Sequence, residues 1–244
     1  MRFFRNFSSA LGEIHHELVE MGTLTHAQTY QDKDVSQDEN FMTMELTHYS
    51  YGVLDPKIEE IRLMLPAPRD SIVPTQPWAE LEFGERVMGM DGNPVNPGKA
   101  YLTRQNVWET FLERDEDGVE RFAYSYSERL AEVDQVQRII ERLRKDPDSR
   151  QGWVAIWNVD DVRYLGGISR VPCTIGYSLQ IRDGKLQIHY IQRSADFITH
   201  FTNDVYMAAC LQRWVANELG VPVGRFYHTI FSLHMFKKDG AGVF

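Results

Sequence analysis

The chain has 244 residues, 43% of them hydrophobic and 25% charged, with a formal net charge of −9. This is the composition of an ordinary globular fold long enough to bury a sizeable core. The acidic balance excludes a general nucleic-acid binder, which needs a basic surface to neutralise phosphates, yet a few local arginines suffice for a small anion. Two cysteines, Cys173 and Cys210, make neither a disulfide framework nor a zinc quartet. A reducing, cytoplasmic setting is the simplest reading, and no metal site is expected.

The N-terminal stretch "MRFFRNFSSALGEIHHELVEMG" repeats apolar residues at helical spacing from Phe4 to Met21, with Gly22 as a stop. Glu13 and Glu17 interrupt it, so it reads as an amphipathic helix of the fold and not as a signal peptide. No run approaches the ~20 apolar residues that a bilayer span needs, so no membrane partner is expected. The polar "TLTHAQTYQDKDVSQDENF" predicts a loop, and the alternating "FMTMELTHYSYGVL" a strand. The proline-rich "LMLPAPRDSIVPTQP" is irregular, "PWAELEFGERVMG" opens a short helix, and "MDGNPVNPGKAY" is a turn-rich loop. The clearest helix is "RLAEVDQVQRIIERLRKDPDS", with apolar residues at 130, 133, 136, 139, 140 and 143 and a stop at Asp146-Pro147.

The pattern then turns to β. "GWVAIWNV", "CTIGYSLQIRD" and "KLQIHYIQRS" read as strands, the last two joined by an Asp183-Gly184 hairpin turn. "NDVYMAACLQRWVANELG" is helical to Gly220, and "RFYHTIFSLHMF" is a final strand. Without repeats or low-complexity linkers, the whole of 1–244 reads as one α+β domain.

The hairpin raises the chemical question. About nine residues per arm return Arg193 close to Cys173, and a thiol becomes a good nucleophile when a nearby cation stabilises its thiolate. The planar fork of an arginine also binds phosphate. Arg150, between a helix end and a strand, is a second candidate. Taken singly, Cys173 also reads as a small buried hydrophobe and each arginine as a surface charge.

Asp146-Pro147-Asp148-Ser149-Arg150, Ala155-Ile156-Trp157-Asn158-Val159, Pro172-Cys173, Gly184-Lys185-Leu186, Gln192-Arg193-Ser194-Ala195-Asp196 and His234 occur in one order. In this the chain resembles the thymidylate synthase and pyrimidine hydroxymethylase family, strongly from about Glu141 to Phe236. The resemblance implies a single-domain fold with a large mixed β-sheet flanked by helices, one sheet face forming a homodimer interface. It implies a nucleoside monophosphate substrate and 5,10-methylenetetrahydrofolate as one-carbon donor. Cys173 sits where the family's nucleophile attacks C6 of the pyrimidine. Arg193 and Ser194 sit at the phosphate site, and Arg150 matches an arginine that reaches the other subunit's phosphate. Gln192 and Asp196 match positions lining the pyrimidine and folate pocket, and His234 a residue near the sugar. In "AELEF", Glu80 falls at the glutamate of the proton-relay network. Trp108 and Tyr124 match further positions, Trp108 on the folate side and Tyr124 among the catalytic groups. Such chemistry needs a thiolate, anion-binding arginines and a carboxylate that moves protons.

Departures from the family pattern carry the specificity. Asp204 stands where thymidylate synthases have asparagine. Cytosine offers an amino group where uracil has its C4 carbonyl, and an acceptor at N3 where uracil has N–H. A carboxyl group accepts from the amino group and, if protonated, donates to N3. The Asn203-Asp204 pair and Ser232-Leu233-His234 resemble the cytidylate hydroxymethylases of large phages, which would suit the cytoplasm of an infected bacterium. A competing reading makes Asp204 the N-cap of the following helix. Gln151 replaces a family arginine, Phe236 a tyrosine that binds the sugar 3′-hydroxyl, and Thr174 a histidine. The chain also stops eight residues after Phe236, which predicts a folate side built differently. The expectation is a deoxycytidylate 5-hydroxymethylase. Alternatives are a dCMP 5-methyltransferase, a CMP hydroxymethylase, a dUMP-acting enzyme and a non-catalytic nucleotide-binding relative. Cys210, the tryptophans at 153 and 157 and the pair His15-His16 read as structural, and Lys33 carries no assignment.

Overall fold

In a computed structural model of the chain, the residues described are 1–30, 33–64, 76–87, 102, 109–114, 116–165 and 170–239. In chain order the strands are β1 Arg2–Phe4, β2 Thr23–His26, β3 Thr29–Tyr30, β4 Lys33–Asp34, β5 Met42–Val53, β6 Glu113–Arg114, β7 Glu120–Arg121, β8 Trp153–Ala155, β9 Thr174–Arg182, β10 Lys185–Asp196 and β11 Val223–Phe236. The α-helices are α1 Phe7–Met21, α2 Ile58–Met64, α3 Gln76–Val87, α4 Tyr126–Ala131, α5 Gln135–Lys145 and α6 Phe201–Leu219.

One mixed sheet organises them, in the order β1-β5-β11-β10-β9-β8, with β2 paired to β5. The hairpin of β9 and β10 is antiparallel, with Leu186 opposite Ile181. Its turn residues Asp183 and Gly184 have φ of 54° and 67°, the doubly positive geometry that an Asp-Gly pair favours because it matches strand twist. β10 and β11 run parallel, which requires a crossover, and α6 is that crossover.

Alternate strand residues face the helices. Tyr51, Val53, Leu179, Leu186, Ile188, Tyr190, Phe226 and Ile230 form the buried face, joined by Phe7, Ile14, Ile140, Leu143, Phe201, Val205 and Val215 from the helices. Gln212 in α6 is fully buried and donates to the carbonyls of Leu186 (2.9 Å) and Arg225 (3.1 Å), which pins the crossover helix to the starts of β10 and β11. The other face of the sheet presents Ser50, Thr229, Tyr227, His189 and Ser178, along with Phe3 and Trp153, at 47% and 42% exposure.

Three expectations need correction. Helix α1 starts at Phe7, not Phe4, because Asn6 caps it and Arg2–Phe4 instead pairs in parallel with Tyr51–Val53. The polar stretch after Gly22 is not wholly loop: Thr23–His26 pairs with Met42–Glu45, and Thr29–Tyr30 with Lys33–Asp34. The long helix expected to end at Asp146-Pro147 is broken, since Val133 and Asp134 adopt φ of 51° and 53°. Val133, read as core by periodicity, is 68% exposed. The break lets the Gln135 side chain donate to the carbonyls of Arg129 (2.6 Å) and Ala155 (2.9 Å) and accept from the amide of Ala155 (2.8 Å), tying α5 to α4 and β8. The turn-rich stretch 90–101 lies outside the described residues.

Gly176 in β9 has no room for a side chain. A Cβ there would lie 2.3 Å from the Val154 carbonyl oxygen and 2.7 Å from the Trp153 ring. Gly176→Ala is expected to lower stability by about 1–3 kcal/mol, the usual cost of overpacking, measured as a lower urea midpoint with an unchanged slope.

Candidate active site

Cys173 lies at the foot of β9 and is half-buried. Its carbonyl accepts from the Arg193 amide at 2.7 Å, and Arg193 Nε donates to the Pro172 carbonyl at 3.4 Å. The hairpin therefore does bring the arginine to the thiol. A support that the sequence did not announce comes from Tyr126, whose hydroxyl oxygen accepts from the amides of both Cys173 and Thr174 at 3.1 Å. Tyr126 opens α4 beside the Ser125–Glu128 capping box, a readable helix start, but its reach across 47 residues was not readable. Its ring stacks on Tyr124, with centroids 6.2 Å apart. Arg129 covers Tyr124 and holds the fully buried Asp161 at 2.6 Å.

Burial pushes the Cys173 thiol up from its ordinary value; Arg170 and Arg193 oppose this, and the carboxylates of Asp204 and Asp196 add to it. Arg170, three residues before Cys173, is the first of the two cations and was not singled out in the sequence. It also lies over the Phe111 ring at 5.2 Å. Tyr124 and Tyr30 have phenols raised chiefly by burial, and both sense the charges of Arg170 and Cys173. Tyr30 thus arrives at the site from a stretch that reads as polar loop. Its ring meets Phe236 edge-on at 5.8 Å. Cys210 offers no alternative nucleophile, because burial in α6 pushes its thiol to about 12.

Asp204 is not the N-cap of α6. His200 holds that position, and Asp204 lies within the first turn, its amide donating to the His200 carbonyl at 3.0 Å. The Asp204 carboxylate instead accepts from Gln192 Nε2 at 2.9 Å. Gln192 is fully buried, and its Oε1 accepts from His228 Nε2 at 2.9 Å. Neighbouring Asn203 is 2% exposed, and its Oδ1 has no hydrogen bond among the described residues.

Along the parallel pair, Ser194 registers with Ser232 and Asp196 with His234. Asp196 Oδ1 accepts from the amides of Ile198 (3.2 Å) and Thr199 (3.1 Å), so this carboxylate shapes the turn into α6. Burial lowers His234, which keeps its imidazole neutral.

Not every expected residue joins this cluster. Arg150 is exposed in the turn between α5 and β8. Glu80 pairs with Arg62 at 2.9 Å with 43% of its side chain exposed, and its charge is felt by Tyr206 and Cys210. Glu82 lies two residues on, about 200° around the helix, and its Oε2 is sealed from solvent. Trp108 lies outside the described residues. Among the described residues no group of His, Cys, Asp and Glu is arranged to hold a metal, and no helix is long and apolar enough to cross a membrane.

A family model described as thymidylate synthase matches residues 96–243. Among solved structures, the chain is similar to the thermostable thymidylate synthase A from Bacillus subtilis. The TM-score is 0.69 at 18% identity, covering 95% of this chain and 80% of that one. It is likewise similar to thymidylate synthase from T4 phage, with a TM-score of 0.68 at 19% identity, covering 95% and 77%.

The cationic setting of the thiol predicts its reactivity. Iodoacetamide labelling of Cys173, followed by peptide mass spectrometry, is expected to speed up with pH around a midpoint above that of a free thiol. Arg170→Met should move the midpoint higher still, because the lost cation favoured the thiolate. A midpoint that stays or falls contradicts this electrostatic assignment.

Proposed function

The chain belongs to the thymidylate synthase family, whose members transfer one-carbon units to pyrimidines, and from that premise we propose that it is a deoxycytidylate 5-hydroxymethylase. The observation that carries this reading is the Asp204 carboxylate. It is held by a buried amide within the electrostatic reach of Cys173. A carboxyl group satisfies the amino group of cytosine, whereas the C4 carbonyl of uracil presents it with a second acceptor.

The overall reaction is dCMP, methylenetetrahydrofolate and water going to 5-hydroxymethyl-dCMP and tetrahydrofolate. The Cys173 thiolate adds to C6 and makes C5 a carbon nucleophile. Arg193 and Ser194 hold the phosphate, with Arg150 supplied from the partner subunit. His234, held neutral, lies on the sugar side. The folate supplies the one-carbon unit when bound. Asp196, a carboxylate close to Tyr30, fits a heterocycle bearing an exocyclic amine, and Trp108 completes that side by resemblance. Attack at C6 is followed by loss of the C5 proton and elimination of the thiolate, which need a carboxylate shielded from bulk water. Glu82, with a sealed oxygen, suits that task better than Glu80, which is engaged by Arg62 at the surface.

The homodimer uses the sheet face not covered by helices. Phe3, Trp153 and Phe231 are exposed there, and large exposed apolar side chains on one flat face are the mark of an interface.

Incubation with methylenetetrahydrofolate and an equimolar mixture of dCMP, CMP, dUMP and UMP is expected to yield 5-hydroxymethyl-dCMP by mass spectrometry. Cys173→Ser should abolish it, and Asp204→Asn should shift turnover toward dUMP. A methyl product changes the final step, and preferential modification of dUMP overturns the assignment of Asp204. Glu82→Gln should lower kcat by about 100-fold or more, the scale of lost acid–base catalysis, while Glu80→Gln stays within a few-fold. The reverse order would return the role to Glu80.

A further inference from the structure

Tyr30 belongs to the short hairpin of β3 and β4, where it pairs with Lys33. The segment that follows this hairpin is fastened to the end of β11. Phe236 registers with Thr43, and the Lys237 amide donates to the Met42 carbonyl at 2.8 Å. Three rings meet at that junction. Tyr30 lies 5.1 Å from Phe41 and 5.8 Å from Phe236, and the two phenylalanines lie 6.0 Å apart. The Lys238 ammonium sits 5.2 Å from the centroid of each phenylalanine. Phe236 is buried, whereas Tyr30 keeps 37% of its surface exposed.

The line of rings continues into the candidate site. Phe236 meets His234, two residues earlier in β11, edge-on at 5.2 Å, and His234 registers with Asp196 of β10. In keeping with this, the Tyr30 phenol senses the charges of Arg170, Asp196 and Cys173. Its hydroxyl makes no hydrogen bond among the described residues. Aromatic packing alone thus holds a hydroxyl beside the groups that surround the thiol, with its hydrogen bonds left for a ligand.

A 2′-deoxynucleotide has three polar regions. In the proposed complex Asp204 takes the base edge, and Arg193 and Ser194 take the phosphate. The 3′-hydroxyl then has only His234. A sugar hydroxyl both donates and accepts, so it can hold a second partner, and a phenol serves in either sense. Phe236, between Tyr30 and His234, has no polar side-chain atom to offer.

We propose that Tyr30 is a substrate-binding residue whose hydroxyl, together with His234, hydrogen-bonds the 3′-hydroxyl of the nucleotide; this rests on the nucleotide-binding function proposed above. The sugar is common to dCMP and dUMP, so the contribution of Tyr30 is the same for both bases and independent of Asp204.

The test uses the full-length protein and binding alone. Dissociation constants of dCMP and of 2′,3′-dideoxycytidine 5′-monophosphate are measured by calorimetry on wild type and Tyr30→Phe. The substitution removes one oxygen from a partly exposed ring, so the fold is retained, which circular dichroism checks. Tyr30→Phe is expected to weaken dCMP about fivefold, the scale of one hydrogen bond, and to leave the dideoxy nucleotide unchanged. Equal weakening of both nucleotides, or of neither, overturns the assignment of Tyr30 to the 3′-hydroxyl. A wild type that prefers dUMP overturns the reading of Asp204 alone, and the same cycle with dUMP and 2′,3′-dideoxyuridine 5′-monophosphate then decides on Tyr30. A folded wild type that binds none of these nucleotides overturns the proposed function and the Tyr30 contact with it.

Discussion

The hydrogen bond between Gln192 and Asp204 is the constraint on which the site depends. It joins a strand of the central sheet to the first turn of the crossover helix, at the point where the chain passes from β10 to α6. Behind it, His228 and Tyr51 carry the same line through β11 to β5. This line lies on the buried face of the sheet, among aromatic and aliphatic side chains. A polar group left unpaired there costs about 1–3 kcal/mol, so the four side chains hold one another in place as a unit. The geometry of the Asp204 carboxyl group is therefore built into the core and does not rest on a surface loop.

The Cys173 thiol is controlled differently. Its backbone is fixed by Tyr126 from one side and by Arg193 from the other. Its charge state is contested, because burial and two carboxylates disfavour the thiolate while two arginines favour it. A thiol poised in this way gains reactivity from whatever changes the balance of charge around it. At the second cysteine burial outweighs the Tyr206 hydrogen bond and the charges of Arg213 and Arg62, and its thiol is pushed to about 12.

Much of this was legible in the sequence. Period-two alternation and the Asp-Gly turn located β9 and β10, and the turn by itself placed Arg193 against Cys173. The spacing from the Arg-Ser-x-Asp motif singled out Asp204, and the structure places His200, not Asp204, at the helix N-cap. Tyr51 and His228 were not legible, because each reads as one more residue on the apolar side of a strand, and their contact joins positions 177 apart. The glutamates of α3 were ambiguous for another reason. Residues two apart on a helix face nearly opposite ways, and the packing of α3 between α4 and α6 leaves Glu80 exposed, Glu82 half-buried and Glu85 buried. The break at Val133–Asp134 was hidden because periodicity registers apolar spacing, not the backbone reversal that lets Gln135 bridge α4 and β8.

In the proposed reaction Cys173 attacks a pyrimidine whose identity Asp204 reads. This attack is tested most directly by intact-protein mass spectrometry after incubation with methylenetetrahydrofolate and an equimolar mixture of 5-fluoro-dCMP and 5-fluoro-dUMP. Fluorine at C5 cannot leave as the proton does, so the reaction stalls with the thiol bonded to C6 of the nucleotide and the folate bonded through its one-carbon unit to C5. A single adduct is expected, with the mass of 5-fluoro-dCMP plus the folate, mapping to the peptide that contains Cys173. An adduct formed chiefly with 5-fluoro-dUMP, or one at another residue, would contradict it.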